Sequence, residues 1–174
     1  MKRLRLVALI AALALAAVLA TAARPVSSAG PATASCGQIV LRLRSGTDDG
    51  FRILLGKVAV PDERHTSHAA LRTDGKAWPY FRRVGLLVRG DASPVTVTVP
   101  EGWRDRVAIS WGNTPAVSSL RIASCGVSAL KPWNAYAGGF YLRSSADCVP
   151  LDFRVGGRTT SVRFGVGRAC GAGP

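Results

Sequence analysis

Near the C-terminal end of the chain, two runs of alternating apolar and polar residues meet at a Gly-Gly pair. Val149-Pro150-Leu151-Asp152-Phe153-Arg154-Val155 has period two, Gly156-Gly157 interrupts it, and Ser161-Val162-Arg163-Phe164-Gly165-Val166 alternates again. Both central positions of a type I′ turn need positive φ, which glycine adopts without steric cost, so the stretch predicts a β-hairpin. Pairing Val155 with Arg158 sets Leu151 opposite Val162 and Val149 opposite Phe164 on one face. Arg154 and Arg163 then lie on the other, wet face. This stretch is architecture and carries no chemistry of its own.

The same alternation recurs upstream. Ile39, Leu41 and Leu43 share a side, with Arg42 and Arg44 opposite, and Ser45 to Gly50 is a turn cluster. Phe51 to Val60 reads as one apolar run with a bulge or bend at Gly56. Val84, Leu86 and Val88 face inward, and Val95-Thr96-Val97-Thr98-Val99 is a strict β-branched alternation. Val107, Ile109 and Trp111, then Leu120 and Ile122, then Gly138 to Arg143 supply further short strands. Roughly nine short strands with frequent turn signals predict an all-β protein. One apolar face per strand predicts a single antiparallel β-sandwich, Ig-like or related. The four tryptophans fill core or edge positions on this reading; the alternative is an exposed aromatic patch of Trp133 and Tyr136 beside Gly138-Gly139.

Ahead of these strands, Lys2-Arg3-Leu4-Arg5 and an apolar run from Leu6 to Ala20 match a secretory signal. The run is short for a membrane span of about 20 residues, so cleavage is the expectation and a retained anchor the alternative. A lipoprotein at Cys36 is disfavoured, because no large aliphatic residue opens the preceding triplet. The boundaries are therefore a signal peptide over 1–23, a flexible Pro/Ser/Ala leader over 24–35, and a β-sandwich domain over 36–174.

Four cysteines in an exported chain predict two disulfides. Cys36 and Cys148 precede strands, whereas Cys125 and Cys170 follow them. Antiparallel neighbours bring a start beside an end, leaving 36–125 with 148–170, or 36–170 with 125–148. The short loop of the 148–170 bridge favours the first pairing. The hairpin register nevertheless sets Cys148 opposite Gly165, five positions short of Cys170. A bulge at Pro150 or at Gly165–Gly167 is expected to close that gap.

The formal charge is +13, and subtracting Lys2, Arg3 and Arg5 leaves +10 for the exported chain. Such a charge bears on partners rather than fold. It attracts an anionic envelope polymer, an acidic lipid surface or nucleic acid, unless it simply reflects an arginine-rich coding bias. The arginines are scattered one per strand, so no basic stripe is visible. Outward positions of neighbouring strands share a face, which makes Arg154 and Arg163 candidate polyanion contacts, alongside Arg42, Arg44, Arg83, Arg89 and Arg121.

Catalytic machinery is not apparent. His65 and His68 lie in the polar stretch 61–79, read as a long loop with room for one short helix around His68 to Leu71. No third metal ligand accompanies them. There is no Gly-x-Ser-x-Gly elbow, phosphate-binding loop or dinucleotide fingerprint, and no carboxylate pair stands out. No catalytic, cofactor or metal residue is assigned.

The C-terminal part also resembles a known family. Trp133, Gly138-Gly139-Phe140, Cys148-Val149-Pro150-Leu151, a Val-x-Gly element and Phe164-Gly165-x-Gly167-x-x-Cys170 look like a family of small exported actinobacterial proteins. The Val95 to Val99 and Arg106 to Ile109 strands and Cys125 follow the same order. The resemblance implies an exported chain and brings no activity, ligand or catalytic residue; the 61–79 loop has no counterpart in it. The expectation is an exported, non-catalytic binding module for an anionic envelope polymer or another extracellular protein. A secreted hydrolase with a loop-built site and a small secreted inhibitor are the alternatives.

Overall fold

Fourteen strands form three sheets among the residues that the computed structural model describes, 31–47 and 50–171. The signal peptide expected over 1–23, and the leader up to residue 30, lie outside the described residues. The first sheet runs β1 (Ala32–Ala34), β10 (Ser119–Ile122), β8 (Val95–Thr98), β13 (Asp147–Val155), β14 (Arg158–Val166). The second runs β2 (Leu41–Leu43), β11 (Trp133–Tyr136), β7 (Leu86–Arg89), β4 (Val58–Pro61), β3 (Phe51–Leu54). The third runs β5 (Leu71–Arg72), β6 (Tyr80–Arg83), β12 (Gly138–Leu142), β9 (Val107–Trp111). The helix α1 (Glu63–Thr66) is a single turn.

The terminal hairpin has the register its alternation predicts. Val155 pairs with Arg158, Leu151 with Val162 and Val149 with Phe164. Gly156 and Gly157 have φ of 53° and 79°, as a type I′ turn demands. Inward residues Val149, Leu151, Phe153 and Phe164 are all but fully buried, while Arg154 and Arg163 are exposed.

The fold is all-β, as the alternation predicts. Three sheets are present, and β1 pairs parallel with β10. The second and third sheets share two bent paths of chain. β6 passes into β7 through Val84-Gly85, and β11 passes into β12 across Ala137. Leu86 thus faces Tyr136 in one sheet while Arg83 faces Gly139 in the other. All three sheets feed one core: Val97, Leu120 and Phe153 from the first, Val58, Leu86 and Tyr136 from the second, and Ile109, Phe140 and Leu142 from the third.

Two expectations are corrected. The leader does not extend to residue 35, because Ala32–Ala34 is a strand with Ala34 fully buried. Its small residues carry no alternation, so sequence pattern does not reveal it. Phe51 to Val60 is two strands rather than one bent strand: Leu55 and Gly56, with φ of 52° and 70°, make a tight reversal, and Leu54 pairs with Val58. Trp133 takes the core position expected of it, and the alternative of an exposed patch with Tyr136 does not form. Both are buried, with the Trp133 ring directly under Gly46, where an added Cβ would come within 2.5 Å of the ring.

Two disulfides join Cys36 to Cys125 and Cys148 to Cys170, with Cα separations of 5.5 and 5.2 Å. Neither expected bulge closes the second bridge; Cys148 stays opposite Gly165 in an unbroken ladder. The chain instead reverses after Val166 and folds back across Gly165, carrying Cys170 to Cys148. A Cβ on Gly165 would sit 2.4 Å from the Arg168 carbonyl oxygen, so only glycine fits under the tail.

Candidate functional site

The outer face of the first sheet collects three of the scattered arginines. Arg154 is opposite Thr96, Thr96 is opposite Arg121, and Thr33 and Thr159 flank them. The result is one rung, Thr33–Arg121–Thr96–Arg154–Thr159, crossing all five strands. Residues opposite one another in a ladder point to the same side, and strands lie about 4.8 Å apart, which puts Arg121 and Arg154 roughly 10 Å apart. Arg163 lies on the same face, four residues along β14 from Thr159 and opposite Pro150. Between these rows, Asp152 accepts a 2.5 Å hydrogen bond from Ser161, and Thr98 meets Ser119 at 3.3 Å. Arg121, Arg154 and Arg163 are exposed and make no ion pair among the described residues. Alternation supplied their outward direction; the strand order that makes neighbours of β8, β10 and β13 is not contained in it.

The other arginines go elsewhere. Arg42 is on the second sheet and Arg83 on the third. Arg89 is engaged with Asp91, whose carboxyl is held below its usual range by hydrogen bonds from Arg89 and Lys57.

The 61–79 segment is pinned rather than loose. Asp62 caps α1, its Oδ1 accepting from the His65 amide at 3.3 Å and lying 2.8 Å from His65 Nδ1. The helical turn comes earlier than the expected His68 to Leu71, because the aspartate supplies the cap and Thr66 is buried beneath it. Leu71–Arg72 is a strand, paired with Tyr80–Phe81. The Gly167 amide donates to the His68 carbonyl at 3.1 Å, and Ala70 donates to Ser145 at 2.9 Å. His65 and His68 are both exposed, the first engaged with Asp62 and the second beyond the end of α1. Among the described residues no group of three or more metal-ligand side chains forms.

Hydrogen bonds from His65, then Arg64, hold the Asp62 carboxyl far below the usual carboxylate range. A depressed folded-state value stabilises the capped turn above the unfolded aspartate value of about 4, and that contribution is lost as pH falls through the lower folded value. Carbon-detected NMR at about pH 3 should find Asp62 still ionised, when an unperturbed aspartate is mostly protonated. Titration at the ordinary midpoint would show that the cap is not formed in solution.

A second feature has no counterpart in the sequence reading. On the outer face of the third sheet, Phe81 and Tyr141 stand opposite one another, ring centroids 4.8 Å apart and planes tilted by 49°. An open cleft of about 470 Å³ lies on one side of the pair, where Gln38, Arg83, Ser110 and Asn113 supply polar groups. Another of about 500 Å³ lies on the other side, bounded by Trp78, Thr73 and Lys76. Arg143 stacks over Trp78 at 5.0 Å. Phe81 and Tyr141 could be assigned an outward face by alternation with Tyr80, Phe140 and Leu142, but they lie far apart in sequence and nothing in the pattern pairs β6 with β12.

No protein-family model, curated protein or solved structure matches the chain. Two disulfides fit an extracellular protein; among the described residues, no helix is long and apolar enough to cross a membrane.

Proposed function

We propose that the chain is a secreted, non-catalytic binding domain that holds an anionic envelope polymer against the outer face of its first sheet. The observation that supports this reading is the convergence of Arg121, Arg154 and Arg163, exposed and without ion-pair partners among the described residues, on one five-stranded surface. The serine and threonine hydroxyls between them are too short to shield the guanidinium groups and can donate to anionic oxygens. The formal charge of +10 that remains after Lys2, Arg3 and Arg5 are subtracted from +13 adds a general attraction. Among the described residues of this face the one opposing charge is Asp152, which accepts a hydrogen bond from Ser161.

Binding of this kind rests on screened attraction and counterion release, so it weakens steeply with salt. Wild-type protein should be retained on an anionic polymer matrix at low salt and elute well below about 1 M. The triple variant Arg121→Ser, Arg154→Ser, Arg163→Ser should elute at distinctly lower salt. Co-elution of the two proteins, or wild-type retention unchanged near about 1 M salt, rejects the reading.

A further inference from the structure

We infer that the aromatic groove on the third sheet is a saccharide site, selective for a pyranose that carries a carboxylate. This names a ligand class for the binding-domain reading but places it on a different surface, built from other residues.

The floor of the groove is the Phe81–Tyr141 pair, partly exposed, with Leu71 beside it in register with Phe81 and 76% exposed. Aromatic rings left at a surface offer an apolar face with little conformational entropy to lose. A pyranose ring is the complementary object: apolar C–H groups on its faces and hydroxyls around its rim. Polar groups stand where such a rim would reach. Gln38, Ser110 and Asn113 border the cleft on one side of the aromatic floor, and Thr73 borders the cleft on the other. A few placed polar groups around an apolar floor is the general build of a ligand cleft.

The charge of the ligand follows from the cations. Arg83 is exposed, lines the polar cleft, and makes no ion pair or side-chain hydrogen bond among the described residues. Lys76 lines the other cleft, and no aspartate or glutamate lines either. A guanidinium fork matches a carboxylate in bidentate geometry, which makes Arg83 the expected anchor for a uronic acid group. Single-stranded nucleic acid also combines stacking with charge, but it uses successive separate platforms along a basic track. Here two rings tilted against each other form one floor, with several neutral hydrogen-bonding groups beside it.

The test titrates the oxidised full chain with an oligomer of galacturonic acid, following aromatic NMR resonances and tryptophan fluorescence. A neutral glucose oligomer and oligo-dT serve as the other two arms. The expected result is perturbation of the Tyr141 and Phe81 ring signals by the acidic oligomer, with weaker binding of the neutral one. Arg83→Glu should lower affinity about ten-fold or more, the size of one lost charge-assisted hydrogen bond. Tyr141→Ala should do the same; if it proves unfolded by circular dichroism, Arg83→Glu, on an exposed and unpartnered side chain, decides alone. The Arg121, Arg154 and Arg163 substitutions should leave this binding unchanged, which separates its failure from failure of the charged-face reading. Equal affinity for the neutral oligomer, tighter binding of oligo-dT in the groove, or no response of the two rings overturns the inference.

Discussion

Phe140→Ala is expected to destabilise the protein by about 3–5 kcal/mol, near the top of the range for a single core truncation. Phe140 sits on β12 in the third sheet and is fully buried. Its ring meets Trp111 edge-on at 6.1 Å and Phe164 of the first sheet at 5.2 Å. Phe164 in turn touches Phe153 at 6.4 Å, so a chain of aromatic contacts crosses from one sheet to another. Truncation leaves a void bounded by rigid ladders on both sides, which cannot close without breaking strand register, and the cavity cost therefore adds to the lost transfer energy. Against a total stability of about 5–15 kcal/mol this is a large fraction, and the thermal midpoint should fall by roughly 10–20 °C. Leu71→Ala, on an exposed side chain, should change stability by less than about 0.5 kcal/mol. Thermal and urea unfolding followed by circular dichroism distinguish the two. A loss below about 1 kcal/mol for Phe140→Ala would mean that the first and third sheets do not share a core in solution.

That shared core marks the limit of what the sequence discloses. The β13–β14 hairpin is legible residue by residue because two independent signals agree: strict alternation fixes faces, and Gly156-Gly157 fixes the turn. The β3–β4 reversal is not legible, because its first turn residue is Leu55, a residue type that rarely takes φ of 52°. β1 is short and built from Ala-Thr-Ala, whose side chains are too small for a hydrophobic pattern. Alternation assigns each strand an inner and an outer side but says nothing of spatial neighbours. The candidate surfaces are hidden for that reason. Arg121 and Arg154 become neighbours only through β8, and Phe81 and Tyr141 only through the pairing of β6 with β12. Cysteine order left two pairings and the short 148–170 loop correctly favoured 36–125 with 148–170, yet neither revealed the route of the tail, since a fold-back over Gly165 has no period to detect.

The two disulfides should contribute unequally, with the longer loop dominating. Cys36 and Cys125 are separated by 89 positions, Cys148 and Cys170 by 22. If a cross-link acts mainly by restricting the unfolded chain, these loops correspond to about 4–5 and about 3 kcal/mol respectively. The folded state sharpens the contrast. Cys36 lies two residues beyond the end of β1 and Cys125 three beyond the end of β10, so their bridge clamps the parallel pair at the edge of the first sheet. β1 pairs there through three ladder positions. Cys36→Ala with Cys125→Ala should therefore lower global stability and also open β1, read as loss of hydrogen-exchange protection at the Ala123 amide, which donates to the Ala34 carbonyl. Cys148→Ala with Cys170→Ala should release the tail from Gly165 while the β13–β14 ladder keeps its protection, because nine paired positions maintain that register without the bridge. Urea denaturation of the two double variants gives the order. Equal losses, or a greater loss on removing the shorter bridge, would show that native contacts of the tail, rather than chain entropy, set what each disulfide contributes.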